Sequence, residues 1–379
     1  MNILLPLITS LIMSTCLFMV PIEDGTPSQN ITISQQINQM DTRQKIGQII
    51  MPRLPWQTTI MNQQTMQFLQ QAPFGGIILF GDNVVSIEQV QQLTADLQTQ
   101  ATIPLFIGID EEGGRVSRVG YLFDTPIPSA FDIGRLGYPA DVLAMSSAIG
   151  ERLTQLGINT NFAPVADIWS NPANTVIGNR AFGHEASHVS PLMPSAIQGF
   201  HEQGILTTLK HFPGHGDTYE DSHFELAFTR FDLARFRNTE ALPFQSGIDS
   251  GTDMVMVGHI STPYVQGHTA IFDWMQPWID SGNLPATFST FWLQDMLRDE
   301  MGFSGIIITD ALDMRALTDH FDQAQIALGA FLAGNDILLM PARPQEAFNA
   351  LLEAYYSGLI TTQRLHQSLY RILTAKANF

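Results

Sequence analysis

Gly204-Ile205-Leu206-Thr207-Thr208-Leu209 runs without a break into Lys210-His211-Phe212-Pro213-Gly214-His215-Gly216-Asp217-Thr218-Tyr219-Glu220-Asp221-Ser222-His223. The first six residues, β-branched and apolar, read as a short buried strand. The rest sets two basic residues against a Pro/Gly turn and ends in an acid and an imidazole two positions apart. A strand that opens into charged residues and glycines is how barrel and open-sheet enzymes present their chemistry. At the end of this run Asp221 is placed to orient His223, whose imidazole exchanges protons near neutral pH.

The same pattern recurs from residue 45 onward. Apolar runs fall at residues 46–51, 76–80, 105–109, 160–163, 206–209, 254–257, 306–308 and 337–340. Helix-like segments separate them, among them 86–100, 140–156, 187–203, 289–301 and 323–333, and 347–376 reads as closing helices. Strands alternating with helices imply right-handed crossovers and a parallel sheet. Eight such units predict an α/β fold of the (β/α)8 TIM-barrel type rather than an open sheet, in a single catalytic domain over 42–379. Asp110, Asp167, Lys210 with His211, His259 and Asp310 each follow one of these runs, so a barrel gathers them on one face.

Composition narrows the function. The chain has 379 residues and a formal charge of −18, with no basic run, so phosphate backbones would be repelled and no nucleic-acid partner is expected. Neither a phosphate-loop Gly-Lys-Ser/Thr nor a dinucleotide fingerprint is present. The single cysteine, Cys16, excludes an intrachain disulfide and a cysteine metal site. It lies in the almost wholly apolar stretch 3–20, and the first basic residue is Arg43. Residues 1–25 therefore read as an apolar leader or membrane anchor, although the basic start of a secretory leader is missing. Residues 26–41 read as a polar linker. The expected location is exported, periplasmic or membrane-anchored through this N-terminus. A buried N-terminal helix is the alternative and would leave the protein cytoplasmic.

Asp310 ends Gly305-Ile306-Ile307-Ile308-Thr309-Asp310, where a fixed, partly desolvated carboxylate suits a nucleophile; a helix N-cap is the plainer role. Asp313 lies a turn further on. Asp110-Glu111-Glu112-Gly113-Gly114-Arg115-Val116 puts three acids before paired glycines that let backbone approach a ligand. Asp110 can accept two hydroxyl hydrogens, with Lys210, His211 and the planar fork of Arg180 as donors opposite it. Carboxylates and fork donors without a phosphate loop point to a neutral, polyhydroxylated ligand such as a sugar. His184, His211, His215, His223 and His259 form a rival metal-ligand set, but not at His-x-His or His-Glu-x-x-His spacing.

These residues resemble glycoside hydrolase family 3. The resemblance rests on Asp110 to Val116, Asn161-Phe162-Ala163-Pro164-Val165-Ala166-Asp167, Ile177-Gly178-Asn179-Arg180, the Lys210-to-His223 run and Thr309-Asp310, and covers roughly 42–376. Asp221-Ser222-His223 is similar to the acid/base motif of the β-N-acetylglucosaminidase branch, which carries that motif on the barrel. The β-glucosidase branch draws its acid/base from a second domain, which is not expected after Phe379. The resemblance implies Asp310 as nucleophile, His223 as general acid/base tuned by Asp221, and Asp110, Arg180, Lys210 and His211 as holders of the N-acetylglucosamine ring. It implies retaining chemistry with no cofactor, and a carbohydrate partner such as peptidoglycan fragments or chitin oligosaccharides. Glu111 stands where the family often has Gln, and is expected to add charge near the subsite. A β-glycosidase or a phosphate-transferring phosphorylase of the same family, a metal-dependent barrel hydrolase and a non-catalytic sugar-binding lipoprotein stay open as alternatives.

Overall fold

A computed structural model describes residues 32–219, 225–377 and 379. The expected leader, residues 26–31 of the expected linker, and Asp221 and His223 lie outside the described residues. Each of the eight apolar runs overlaps a strand: β1 Ile50–Met51, β2 Gly76–Ile78, β3 Phe106–Ile109, β4 Thr160–Asn161, β5 Thr208–Phe212, β6 Met254–Val257, β7 Ile306–Thr309 and β8 Leu338–Leu339. Every residue in these strands is buried, as near-continuous apolar strands covered on both faces must be.

All pairings among the eight are parallel. β1 pairs with β8, with Ile50 opposite Leu338. β3 lies between β2 and β4, and β6 between β5 and β7. Single parallel bridges, Arg53 to Ile78, Thr160 to Leu206, Val165 to Lys210 and Ile308 to Ile337, link the remaining neighbours. The fold is α/β. Alternate strand residues go to two clusters, as the two-residue period of a strand requires. Ile77, Ile107, Leu209, Val255 and Ile307 pack with helix residues such as Leu93, Ile149, Phe244 and Leu297. Ile78, Phe106, Met254, Met256 and Ile308 share the other cluster with Ile50 and Leu338.

Helices 87–100, 139–155 and 323–333 stand where the periodicity predicts them, the first capped by Ser86 and the last by an Asp322/Gln325 capping box. Three expectations need correction. The segment 187–203 is not one helix: Pro191 and Pro194 divide it into Ala186–Val189, a tight turn Ser190–Leu192, and Met193–His201. Phe291–Glu300 winds as a π-helix. The linker expected at 26–41 contains the helix Ile33–Gln39, with Ile37 and Met40 buried beside Ile46, Leu369 and Ile372. The folded unit therefore starts before residue 42. Among the described residues no helix is long and apolar enough to cross a membrane.

Candidate active site

The carboxyl ends of the strands surround a cavity of about 340 Å³, lined by Asp110, Arg180, Lys210, His211 and Asp310, with Arg53, Phe80, Arg118, His215 and Asp313 also in its wall. The five site residues that the described chain contains thus share one cavity. Another cavity of about 290 Å³, lined by Arg43, Gln48, Phe74 and Leu105, contains none of them.

Asp310 directly follows β7. Its backbone N–H donates to Val257 O at the end of β6 (2.9 Å), and its Oδ1 accepts the N–H of Ala311 (2.7 Å). With 8% of its surface exposed, the carboxylate is fixed and largely desolvated, as a nucleophile requires.

Lys210 lies within β5, 1% exposed, and its ammonium donates to Asp110 Oδ1 and Glu112 Oε1, both at 2.6 Å. Burial disfavours the ammonium, but Asp110 and Glu112 outweigh it and raise its pKa. Glu112 also takes Arg180 in a two-armed grip, Nε to Oε2 and Nη2 to Oε1, both 2.8 Å. Burial pushes the Glu112 carboxyl up, yet Arg180 and Lys210 hold it well below the usual carboxylate range. Arg180 is correspondingly raised, its burial outweighed by Glu112. The sequence did not single out Glu112, although it binds two of the cations that line the cavity.

His211 Nδ1 lies 2.7 Å from Asp167 Oδ2, which also accepts the His211 backbone N–H at 3.1 Å. Its Nε2 is 3.3 Å from Arg180 Nη2. A guanidinium can only donate, so Nε2 accepts and the ring proton belongs on Nδ1. Asp167 is fully buried and takes the His215 N–H at 2.6 Å. Burial alone would raise its carboxyl, but His211 and His215 keep it below its usual range. His215, which the sequence offered only as a metal ligand, is pushed down to about 4 by burial and by His211 beside it.

The structure corrects three further expectations. Glu111 does not face the cavity: it is buried, accepting Ser117 Oγ (2.5 Å) and the N–H groups of Arg118 (2.6 Å) and Val119 (3.0 Å), and burial raises its pKa. It ties down the following loop. Gly113 and Gly114, at φ 81° and 56°, make room for the chain itself, since an added Cβ would meet Pro128 O at 2.6 Å or Ser129 Cβ at 2.7 Å. Of the described histidines in the rival metal set, only His211 and His215 stand together, their ring centres 5.8 Å apart. His184 packs on Trp169 and Phe131, and His259 is buried between Thr287 Oγ1 (2.7 Å) and Ala311 O (2.8 Å). Among the described residues no three His, Cys, Asp or Glu side chains gather in a way that could hold a metal ion.

Carboxylates and partnered cations around a pocket at the ends of parallel strands define an enzyme-like site for a polar ligand. The chain belongs to glycosyl hydrolase family 3: the "Glycosyl hydrolase family 3 N terminal domain" pattern matches residues 41–375. It is 35% identical over 337 residues to "Beta-hexosaminidase A" of Pseudoalteromonas piscicida, spanning 84% of this chain and 56% of that protein. It is 34% identical over 303 residues to "Beta-hexosaminidase" of Stenotrophomonas maltophilia strain K279a, spanning 77% and 84%. Among solved structures it resembles a family 3 β-N-acetylglucosaminidase from Paenibacillus sp. FPU-7, with TM-score 0.81 and 35% identity over 89% of this chain and 62% of that one. The chain thus spans little more than half the length of the Pseudoalteromonas relative.

Proposed function

We propose that the protein is a retaining β-N-acetylglucosaminidase that releases terminal N-acetylglucosamine from β-linked glycans such as peptidoglycan fragments or chitin oligosaccharides. The observation carrying this reading is the single cavity that Asp310 shares with Asp110, Arg180, Lys210 and His211. The names of the relatives support it. An Asp310 oxygen attacks the anomeric carbon as the bond to the leaving oxygen breaks, and His223, tuned by Asp221, gives that oxygen a proton. Water then attacks the glycosyl-aspartate, returning its proton to His223 and freeing Asp310. Asp110, Arg180, Lys210 and His211 hold the sugar hydroxyls. Turnover of 4-nitrophenyl N-acetyl-β-glucosaminide, beside the glucoside and the xyloside, tests the reading; faster cleavage of either of the latter overturns it.

We infer that the eight strands close into a barrel, a reading supported by the succession of pairings and bridges from β1 round to β8. The apolar composition of residues 3–20 supports export or membrane tethering. Deleting residues 1–25 tests this: the enzyme should stay active and move to the soluble fraction, and unfolding would overturn the reading.

A further inference from the structure

We propose that Trp56 is a stacking platform for the sugar unit on the leaving-group side of the scissile bond. This rests on reading the cavity as the site of the terminal sugar. Arg53 and Phe80 line that cavity, and the Arg53 guanidinium carbon lies 4.3 Å from the Phe80 ring centre and 4.9 Å from that of Trp56. Phe80, Arg53 and Trp56 therefore form a stack that leads outward from the cavity wall and ends in an indole 68% exposed to solvent.

Such exposure alone is ordinary, but the loop that presents this indole is held unusually firmly. Asp82 accepts Arg53 Nη2 at 2.6 Å on one oxygen and the Gln57 N–H at 2.7 Å on the other. Gln57 has a left-handed backbone, φ 56°, which a side-chain-bearing residue rarely adopts without such a hold. Buried Asn83 donates to Pro55 O (3.2 Å) and Thr58 O (3.1 Å), and Gln89 donates to Thr59 O (2.6 Å). A large apolar ring fixed at a pocket mouth, its ordering cost already met, is preorganised for a ligand face.

The occupant is a neutral pyranose. An indole matches the apolar C–H face of a β-linked ring, and Asp82 already neutralises Arg53, so the platform offers shape rather than charge.

The test compares the N-acetylglucosamine β-1,4 disaccharide with methyl N-acetyl-β-glucosaminide, whose leaving group is too small to reach Trp56. In Trp56→Ala, kcat/KM should fall on the order of tenfold more on the disaccharide than on the methyl glycoside, through KM, with Trp56→Phe restoring most of the loss. Equal losses on both substrates, or no loss on the disaccharide, overturn the platform. A steep rise of the wild-type disaccharide KM with salt overturns its neutral character. Failure of the wild type on both substrates would instead remove the underlying functional reading.

Discussion

Glu112 holds Arg180 through two hydrogen bonds of equal length, 2.8 Å each, with both side chains almost entirely buried. The same carboxylate reaches Lys210 at 2.6 Å, so one buried anion sets the positions of two cations that line the cavity. Glu112→Gln keeps the shape and removes the charge, leaving Arg180 without its only side-chain carboxylate contact among the described residues. Breaking a buried pair in this way costs about 3–5 kcal/mol. A large drop in melting temperature, with a raised KM for aryl N-acetylglucosaminides, is expected. A variant with the melting temperature and KM of the wild type would show that Arg180 and Lys210 are positioned without Glu112.

That residue also shows how far the site could be read from sequence. Asp110, Glu111 and Glu112 stand together, and the sequence points to the first two for the cavity but not to the third. Extended chain sends alternate side chains to opposite sides, and here Asp110 and Glu112 both meet Lys210 while Glu111 turns away to Ser117. The alternation was available in the sequence, and so was Lys210 opposite Asp110; that Lys210 and Arg180 both reach Glu112 was not. The same division holds for the fold. Met-Val-Met-Val at 254–257 has one local meaning, and the strand has those bounds. The helix 33–39 looks like linker because its residues are mostly Gln and Asn, and it owes its place to Ile37 and Met40 packing against the last helix, a contact no local pattern reveals.

His215 should govern part of the acid limb of stability. In the folded protein its imidazole is pushed down to about 4 by burial and by His211, against 6.5 ordinarily. Between those values the unfolded chain binds a proton that the folded chain refuses, so the stabilisation is complete above pH 6.5 and is lost as pH falls toward 4. The buried carboxylates Glu112 and Asp167 are likewise shifted down, from their ordinary values of 4.5 and 3.8, and their contributions fade only at lower pH. Chemical denaturation at pH 5 should show up to about one proton more taken up on unfolding by the wild type than by His215→Gln. Equal proton uptake by the two proteins would remove His215 from this role.

Asp310→Asn should lower kcat by at least about a thousandfold while leaving the melting temperature close to that of the wild type, because it removes the attacking anion and little packing. A fluorinated N-acetylglucosaminide that traps the intermediate should label Asp310, as peptide mass mapping will show. Label on Asp313, which lines the same cavity, would move the nucleophile. Strong inhibition by a thiazoline analogue with no label on the protein would indicate substrate-assisted chemistry instead.

His223 should matter unequally across substrates. Its proposed task is to protonate the departing glycosidic oxygen, a contribution of about 10²- to 10⁴-fold for a positioned acid. A sugar alcohol leaves poorly and needs that proton, whereas 4-nitrophenolate leaves well without it. His223→Ala should therefore lose far more activity on the N-acetylglucosamine disaccharide than on the aryl glycoside. Asp221→Asn should show the same preference in milder form, since it removes charge from the partner and leaves the proton donor in place. Single-turnover measurements with both substrates separate the first chemical step from the second. Equal first-step losses on the two substrates would assign His223 to binding the ring or supporting the fold, and the acid would have to be sought among the groups that line the cavity.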